Sequence, residues 1–261
     1  MKKIDCEELK KIQLNILKFV DEFCVNNGIR YWIDGGTLLG AVRHKGYIPW
    51  DDDIDIGMQR EDFDKFKTTF NELQSKYRFA CAEIDDQFNY AFGKVLDTTT
   101  VLYEPDRNGK KVSVNIDVFV YDNAPDNDRD IERMYDRRDF YRLLSDIRSQ
   151  NVPVGKSIKY KLTRFYVRLF KTNYFALKMI ENSKQLMNEN TNCVGNFAGY
   201  TRMKCSKEVF DSFVELEFEG LSLKAPIGYD QWLRSFYGDY MILPPVEKRV
   251  STHQFEAFYL D

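Results

Sequence analysis

The sequence predicts an α+β fold. A mixed sheet with flanking helices should occupy residues 1–125, and a mainly helical half, 126–261, should pack against it as one compact unit. Three observations lead there. Apolar residues recur at helical spacing from Leu9 to Phe23. They alternate at a period of two around Ile54-Asp55-Ile56 and from Val112 to Tyr121, as in strands. Beyond Asp122 the pattern changes to long helical runs. A length of 261 residues fits one large domain. With 43% hydrophobic and 15% aromatic residues the chain can fill a core, which excludes global disorder. The net charge of -3 offers no whole-chain basic field, which argues against a general nucleic-acid binder.

Taken in order, Leu9, Ile12, Ile16, Phe19, Val20 and Phe23 mark a helix from Leu9 to Asn26, with Gly28 placed to cap its end. Tyr31-Trp32-Ile33 reads as a short strand, Gly35-Gly36 as a turn, and Thr37 to Arg43 as a short helix. Gly46 and Pro49 punctuate the approach to a strand at Asp53-Ile54-Asp55-Ile56. Phe63, Phe66, Phe70 and Leu73 mark a second helix. Phe79 to Ala82 and Tyr90 to Leu96 read as strands, and Val112 to Tyr121 is the clearest strand of all. After a polar link at Asp126–Asp130, helices are predicted over Ile131–Ile147 and Ile158–Met187, broken near Pro153 and Gly155. Val214 to Leu223 resembles a hairpin turning at Glu219-Gly220. A last short helix, Asp230 to Tyr237, has Asp230 as its predicted N-cap, and Pro244-Pro245 ends regular structure.

The segment Asp51-Asp52-Asp53-Ile54-Asp55 carries the chemistry. Four carboxylates so close repel one another, and a bound cation would offset that. On a strand, Asp53 and Asp55 would point the same way and Asp52 away, so the first two could share a Mg²⁺, with Mn²⁺ as the substitute. The other reading is a solvated acidic loop, which would have no use for the Ile-x-Ile alternation. A calcium loop fails on spacing, because Ile56 stands where glycine is required and Asp62 where Glu is. Asp117, on the later strand, is a candidate third metal ligand and a candidate general base, though a buried Asp bonded to backbone amides is the plainer reading. Asp34-Gly35-Gly36-Thr37 lies between strand and helix, where glycines let backbone approach a phosphate at a helix start. Glycine pair followed by acidic strand is the layout of the nucleotidyltransferase fold. Arg43, His44 and Lys45 lie between the two and could balance a diphosphate, or be solvated cations.

The run from Gly35-Gly36-Thr37 through Arg43-His44-Lys45-Gly46-Tyr47-Ile48-Pro49-Trp50 to Asp51-Asp52-Asp53-Ile54-Asp55-Ile56-Gly57 resembles the signature of the LicD-type phosphotransferases. A second block agrees: Phe218-Glu219-Gly220, Pro226, Tyr229-Asp230, Leu233, Tyr237-Gly238-Asp239-Tyr240-Met241, Pro244-Pro245, Arg249 and His253. The resemblance implies a nucleotidyltransferase-like fold. It implies metal-dependent transfer of a substituted phosphate, typically phosphocholine, from a CDP-linked donor to a hydroxyl of a cell-surface glycan or lipid-linked saccharide, with release of CMP. By the same resemblance Asp53, Asp55 and Asp117 would be metal ligands. Gly35, Gly36 and Thr37 would line the donor phosphates, and Lys94 would reach the diphosphate. Trp50 and Tyr237 could cradle a quaternary ammonium or simply pack in the core.

Two rivals stay open on the residues alone: an Asp-x-Asp glycosyltransferase using a nucleotide-sugar, and a non-catalytic binding relative. The charged N-terminus, Met1-Lys2-Lys3-Ile4-Asp5-Cys6-Glu7-Glu8, lacks the apolar run of a signal peptide. Cys6, Cys24, Cys81, Cys193 and Cys205 are widely spaced and read as reduced thiols, so a cytoplasmic location is expected. Cys193 and Cys205 have no nearby His or paired cysteines, and a zinc site is not expected there. Lys161, Arg164, Arg168 and Lys171 recur beside Ile158, Leu162, Phe165 and Leu169. That pattern fits either a peripheral contact with the inner face of a membrane or a core helix with a solvated cationic face.

Overall fold

The computed structural model describes residues 1–104, 110–150, 157–250 and 256–260. Pro153, Gly155 and His253, singled out above, lie outside them. Helices α1 (Cys6–Asn27), α2 (Gly35–His44), α3 (Arg60–Thr69), α4 (Asp128–Ser149), α5 (Ile158–Val167), α6 (Tyr174–Ser183) and α7 (Tyr229–Tyr237) surround the sheets. The central sheet contains β2 (Trp32–Ile33), β3 (Asp55–Gln59), β4 (Tyr77–Ala80), β5 (Gly93–Asp97), β8 (Asn115–Ala124), β9 (Cys193–Gly195) and β10 (Cys205–Ser206). A second sheet has the order β1 (Lys3–Ile4), β13 (Glu256–Tyr259), β6 (Thr100–Glu104), β7 (Lys110–Val112). Strands β11 (Phe213–Phe218) and β12 (Leu221–Pro226) form the expected hairpin, and Glu219 and Gly220 supply the two positive φ angles of its turn, 49° and 77°. The α+β expectation is met.

The long strand β8 organises the molecule. It runs parallel to β3 on one side. On the other side its first half pairs antiparallel with β5 and its last residues with β9. The apolar alternation of β8 explains why: Ile116, Val118 and Val120 are all buried. Helix α1 covers the sheet with Ile16, Leu17 and Val20, and α3 adds Phe63 and Phe66. Gly28 does cap α1, in the left-handed conformation at φ 61°.

Several boundaries differ from the expectation, each for a local reason. Gly35-Gly36 is not a turn but the first turn of α2, which begins directly after the N-cap Asp34. Strand β3 starts only at Asp55, so Asp51 to Ile54 lie in an extended approach. The strand expected from Val112 breaks at Ser113-Val114, because Val114 turns its N–H to Thr100 Oγ1 (2.9 Å) and its carbonyl to Asp97 N–H (2.8 Å). The helix expected over 158–187 is two helices. Buried Asn173 interrupts it, donating from its side chain to Ala82 O (2.9 Å) and from its backbone to Asp86 O (3.2 Å). Gly228, not Asp230, caps α7; Asp230 instead accepts from Arg234 Nε (2.8 Å) and the Tyr240 hydroxyl (2.7 Å). All five cysteines are free thiols. Among the described residues no helix is long and apolar enough to cross a membrane.

A candidate active site at the head of β3 and β8

The sheet register sets a row of charged side chains. Asp55, the first residue of β3, lies opposite Asp117 of β8, and Asp117 lies opposite Lys94 of β5. Cross-strand partners share a face of the sheet, so all three present on the same side. Lys94 Nζ donates to Asp117 Oδ1 and to Asn115 Oδ1, the latter at 2.9 Å. The Lys94 ammonium also sits over the rings of Tyr90 (5.3 Å) and Phe92 (5.4 Å). The structure thus commits Lys94 to Asp117, holding that carboxylate and balancing its charge.

The amino end of α2 faces this row. Asp55 N–H donates to Thr37 Oγ1 (2.9 Å), and Asp34 N–H donates to Asp55 O (3.0 Å), locking the helix start to the first residue of β3. A Cβ on Gly35 would come within 2.7 Å of Asp55 Oδ2, and one on Gly36 within 2.6 Å of Asp51 Oδ2. The two glycines therefore let the carboxylates close on the helix start, and Gly35 also holds a positive φ of 52°. Asp34 is buried beneath. Its carboxylate accepts from the Tyr121 hydroxyl and from Trp232 Nε1 (3.0 Å) of α7, yet burial still pushes its carboxyl above the usual range.

Asp55 is pushed well above the usual carboxylate range, chiefly by burial and then by Asp53, Asp117, Asp34 and Asp51. The ligand oxygens of Asp51, Asp52 and Asp53 all lie within 4.8 Å of one another. Asp52 therefore does not point away from Asp53 as strand alternation predicted, because the strand has not yet begun there. Gln13 of α1 fastens this approach, donating to Asp52 O (3.0 Å) and Asn115 O (3.3 Å) and accepting from the Tyr47 hydroxyl (3.1 Å). An all-oxygen, crowded, mutually repelling donor set fits a hard divalent cation.

The cations predicted near the glycines divide. Arg43 donates to Tyr240 O (2.7 Å) and His44 Nε2 (2.9 Å), which places its guanidinium under the loop after α7. Burial lowers the Arg43 pKa, with Tyr237 opposing the shift and Arg249 adding to it. Lys45 instead reaches Glu217 of the hairpin at 3.3 Å, and its carbonyl accepts from Glu219 N–H (2.9 Å). The face of Trp50 carries the Arg249 guanidinium at 5.7 Å, so a protein cation sits where a ligand ammonium was considered.

Tyr237 is the site residue whose surroundings sequence reading missed. Its hydroxyl titrates far above the usual range, from burial first and then from Asp55, Asp34, Asp51 and Asp53. The residue as a whole remains 42% exposed. Nothing local in the chain signals that residues so far apart in sequence influence one another.

A glycine-led helix start set against an acidic strand is the architecture of a nucleotidyltransferase-like phosphotransferase. The LicD/FKTN/FKRP nucleotidyltransferase domain matches residues 28–142, which span all of α2, β3, β5 and β8. The lipopolysaccharide cholinephosphotransferase LicD of Haemophilus influenzae is 32% identical over 268 aligned positions, covering 100% of both chains. The human ribitol 5-phosphate transferase FKRP is 60% identical over 35 residues, 13% of this chain and 7% of that one. The mouse ribitol-5-phosphate transferase FKTN is 25% identical over 118 residues, 45% of this chain and 22% of that one. The chain belongs to the LicD family of phosphotransferases.

Proposed function

We propose that the chain moves a substituted phosphate, such as phosphocholine, from a CDP-linked donor to a hydroxyl of a cell-surface glycan, in a reaction that depends on a divalent metal. The observation that carries this reading is the Lys94–Asp117–Asp55 row, in register across three strands and locked to the start of α2. Full-length similarity to a lipopolysaccharide cholinephosphotransferase supports both the group transferred and a glycan acceptor, and the short match to a ribitol 5-phosphate transferase supports transfer of substituted phosphates more broadly.

Asp53 and Asp55, with Asp117, would hold the metal, and Asp51 and Asp52 offer further carboxylate oxygens within 4.8 Å of that of Asp53. A bound Mg²⁺ or Mn²⁺ would supply charge screening of the donor diphosphate. The partial positive charge at the start of α2, at Gly35, Gly36 and Thr37, would sit against the donor phosphates. Arg43, bonded to Tyr240 O in the loop after α7, and Arg249, over the ring of Trp50, add cationic charge. Asp117 takes the proton of the acceptor hydroxyl as its oxygen attacks phosphorus. The phosphorus–oxygen bond to CMP breaks, and CMP leaves with the electron pair. Lys94 fixes the direction in which the Asp117 carboxylate points.

The test is a screen of CDP-choline, CDP-ethanolamine, CDP-glycerol and CDP-ribitol by thermal shift with and without Mg²⁺. A donor at a hundredfold excess over Kd should add about 2.7 kcal/mol of stability. Release of CMP in the presence of an acceptor glycan should follow. In Asp55→Ala, turnover should drop ~10³-fold or more while the protein stays folded. Preferential binding of a UDP- or GDP-sugar, or near-normal activity in folded Asp55→Ala, would reject the reading.

A further inference from the structure

Helix α5 is turned inside out. Its stripe Ile158, Leu162, Phe165 and Tyr166, continued by Leu169, falls on one face at helical spacing, and that face is the exposed one. Ile158 is 77% exposed, Leu162 64%, Phe165 70% and Leu169 68%. The inward side holds Val167 and, in place of an apolar residue, Arg164. Arg164 donates to Ile147 O (3.1 Å) and Gln150 O, so its charge is spent on capping the end of α4. Helix α4, on which α5 packs, adds exposed Phe140 and Leu143.

Along the chain through the stripe, the charge is of one sign. From Ser157 to Ile180 the sequence contains Lys159, Lys161, Arg164, Arg168, Lys171 and Lys178 and no Asp or Glu. The whole chain nets -3, so this segment is a positive island on an acidic protein. Lys159, Lys161, Arg168 and Lys171 are exposed beside the apolar side chains. A row of large apolar residues edged by Lys and Arg matches a surface that presents hydrocarbon beneath a layer of negative charge. A water-facing role would leave five large apolar residues in contact with solvent for nothing.

We propose that α5 is a docking surface for an anionic lipid bilayer, with Ile158, Leu162, Phe165 and Leu169 entering the interface and Lys159, Lys161, Arg168 and Lys171 meeting the headgroup charge. None of these residues belongs to the site at the head of β3, and the inference stands whether or not the donor is a CDP compound. An enzyme seated this way would work on acceptors carried at a membrane surface.

The experiment is flotation of the full chain with phosphatidylcholine vesicles, alone or with about a third phosphatidylglycerol. The protein should float with the anionic vesicles at low salt, stay in solution with the neutral ones, and release as salt is raised. Phe165→Glu combined with Leu169→Glu, and separately Lys159→Glu combined with Lys161→Glu, should each weaken partitioning at least tenfold. All these positions are exposed, so thermal melts of both variants should match the parent. Failure to float with anionic vesicles, equal flotation with neutral ones, or unchanged partitioning of both variants would overturn the proposal. So would a solution dimer that the Phe165→Glu, Leu169→Glu variant dissociates, since a second copy would then cover the stripe.

Discussion

At the scale of single residues, Asp117 is where the structure adds most. Sequence placed it as a third carboxylate with two candidate duties, and the register shows it between Asp55 and Lys94. Asp117→Asn keeps the shape and an oxygen for Lys94, but it cannot take a proton and ligates Mg²⁺ weakly. Turnover should then fall ~10²–10⁴-fold at every Mg²⁺ concentration, with donor binding and the melt retained. Full recovery at high Mg²⁺ would leave Asp117 a ligand and remove the general-base role. Gly36 permits a separate test. An alanine there brings Cβ to 2.6 Å from Asp51 Oδ2, the free end of a side chain that can swing away. Gly36→Ala should therefore leave the melt nearly unchanged, within about 1 kcal/mol, while turnover falls at least tenfold because Asp51 is displaced. A normal rate would show that the closeness of the glycine to Asp51 serves packing alone. The acidic run, the glycine pair and the later Asp117 were legible because each is a local pattern. The surroundings of Tyr237, the burial of Asp34 under Trp232, and the clamp of Gln13 on Asp52 were not. They join residues far apart in sequence, and only the topology brings them together.

At the scale of elements, the sequence showed helices and strands wherever the apolar period persisted, and misplaced them wherever a side chain captured backbone hydrogen bonds. Thr100 at the break before β8 and Asn173 between α5 and α6 are the two cases. Strands β1, β9, β10 and β13 are two to four residues each, too short for alternation to register. The packing of α3 against the end of α6 carries a pH signature. Glu83 accepts from Lys184 (2.7 Å), in the turn after α6, and pairs with Lys67 of α3 (3.0 Å). Burial alone would raise its pKa, but Lys184 and then Lys67 outweigh that and hold it below the usual range. A depressed carboxyl pKa gives stability that is fully present above the unfolded value of about 4.3 and is lost as pH falls through the folded value. Glu83→Gln should cost ~1–3 kcal/mol near neutral pH, where one charge-assisted hydrogen bond and one ion pair are removed. The gap from the parent should close below about pH 4, as the parent loses the same interaction. Denaturant melts across that range decide it; a constant gap would mean that Glu83 acts by packing and not by charge.

At the scale of the whole molecule, the head of β3 is assembled from both halves of the chain. Residues 1–125 supply α2, β3, β5 and β8. The later half supplies Trp232, whose indole N–H reaches Asp34 at 3.0 Å, and Tyr240, whose carbonyl receives Arg43 at 2.7 Å. It also supplies β9, which pairs with Asp122, Asn123 and Ala124, and β13, which lies between β1 and β6. Without these partners, a fragment ending at residue 125 would leave β1 and the last residues of β8, Asp122 to Ala124, with no strand neighbour. It would also expose the Asp34 carboxylate, Tyr121 and the apolar surface under Phe210 and Trp232, whose rings pack on Tyr121 at 5.6 and 5.5 Å. Unpaired edges and bared aromatic surface favour association over a unique fold. The fragment 1–125 should therefore lack a cooperative thermal transition and should aggregate, whereas the full chain should melt in one step. A soluble 1–125 fragment with a sharp transition would show an autonomous catalytic core, with the second half merely docked on it. In the expected case, donor binding and folding of the two halves cannot be separated, because Asp34 and Arg43 reach their partners only after the chain beyond Gly228 has returned to the first half.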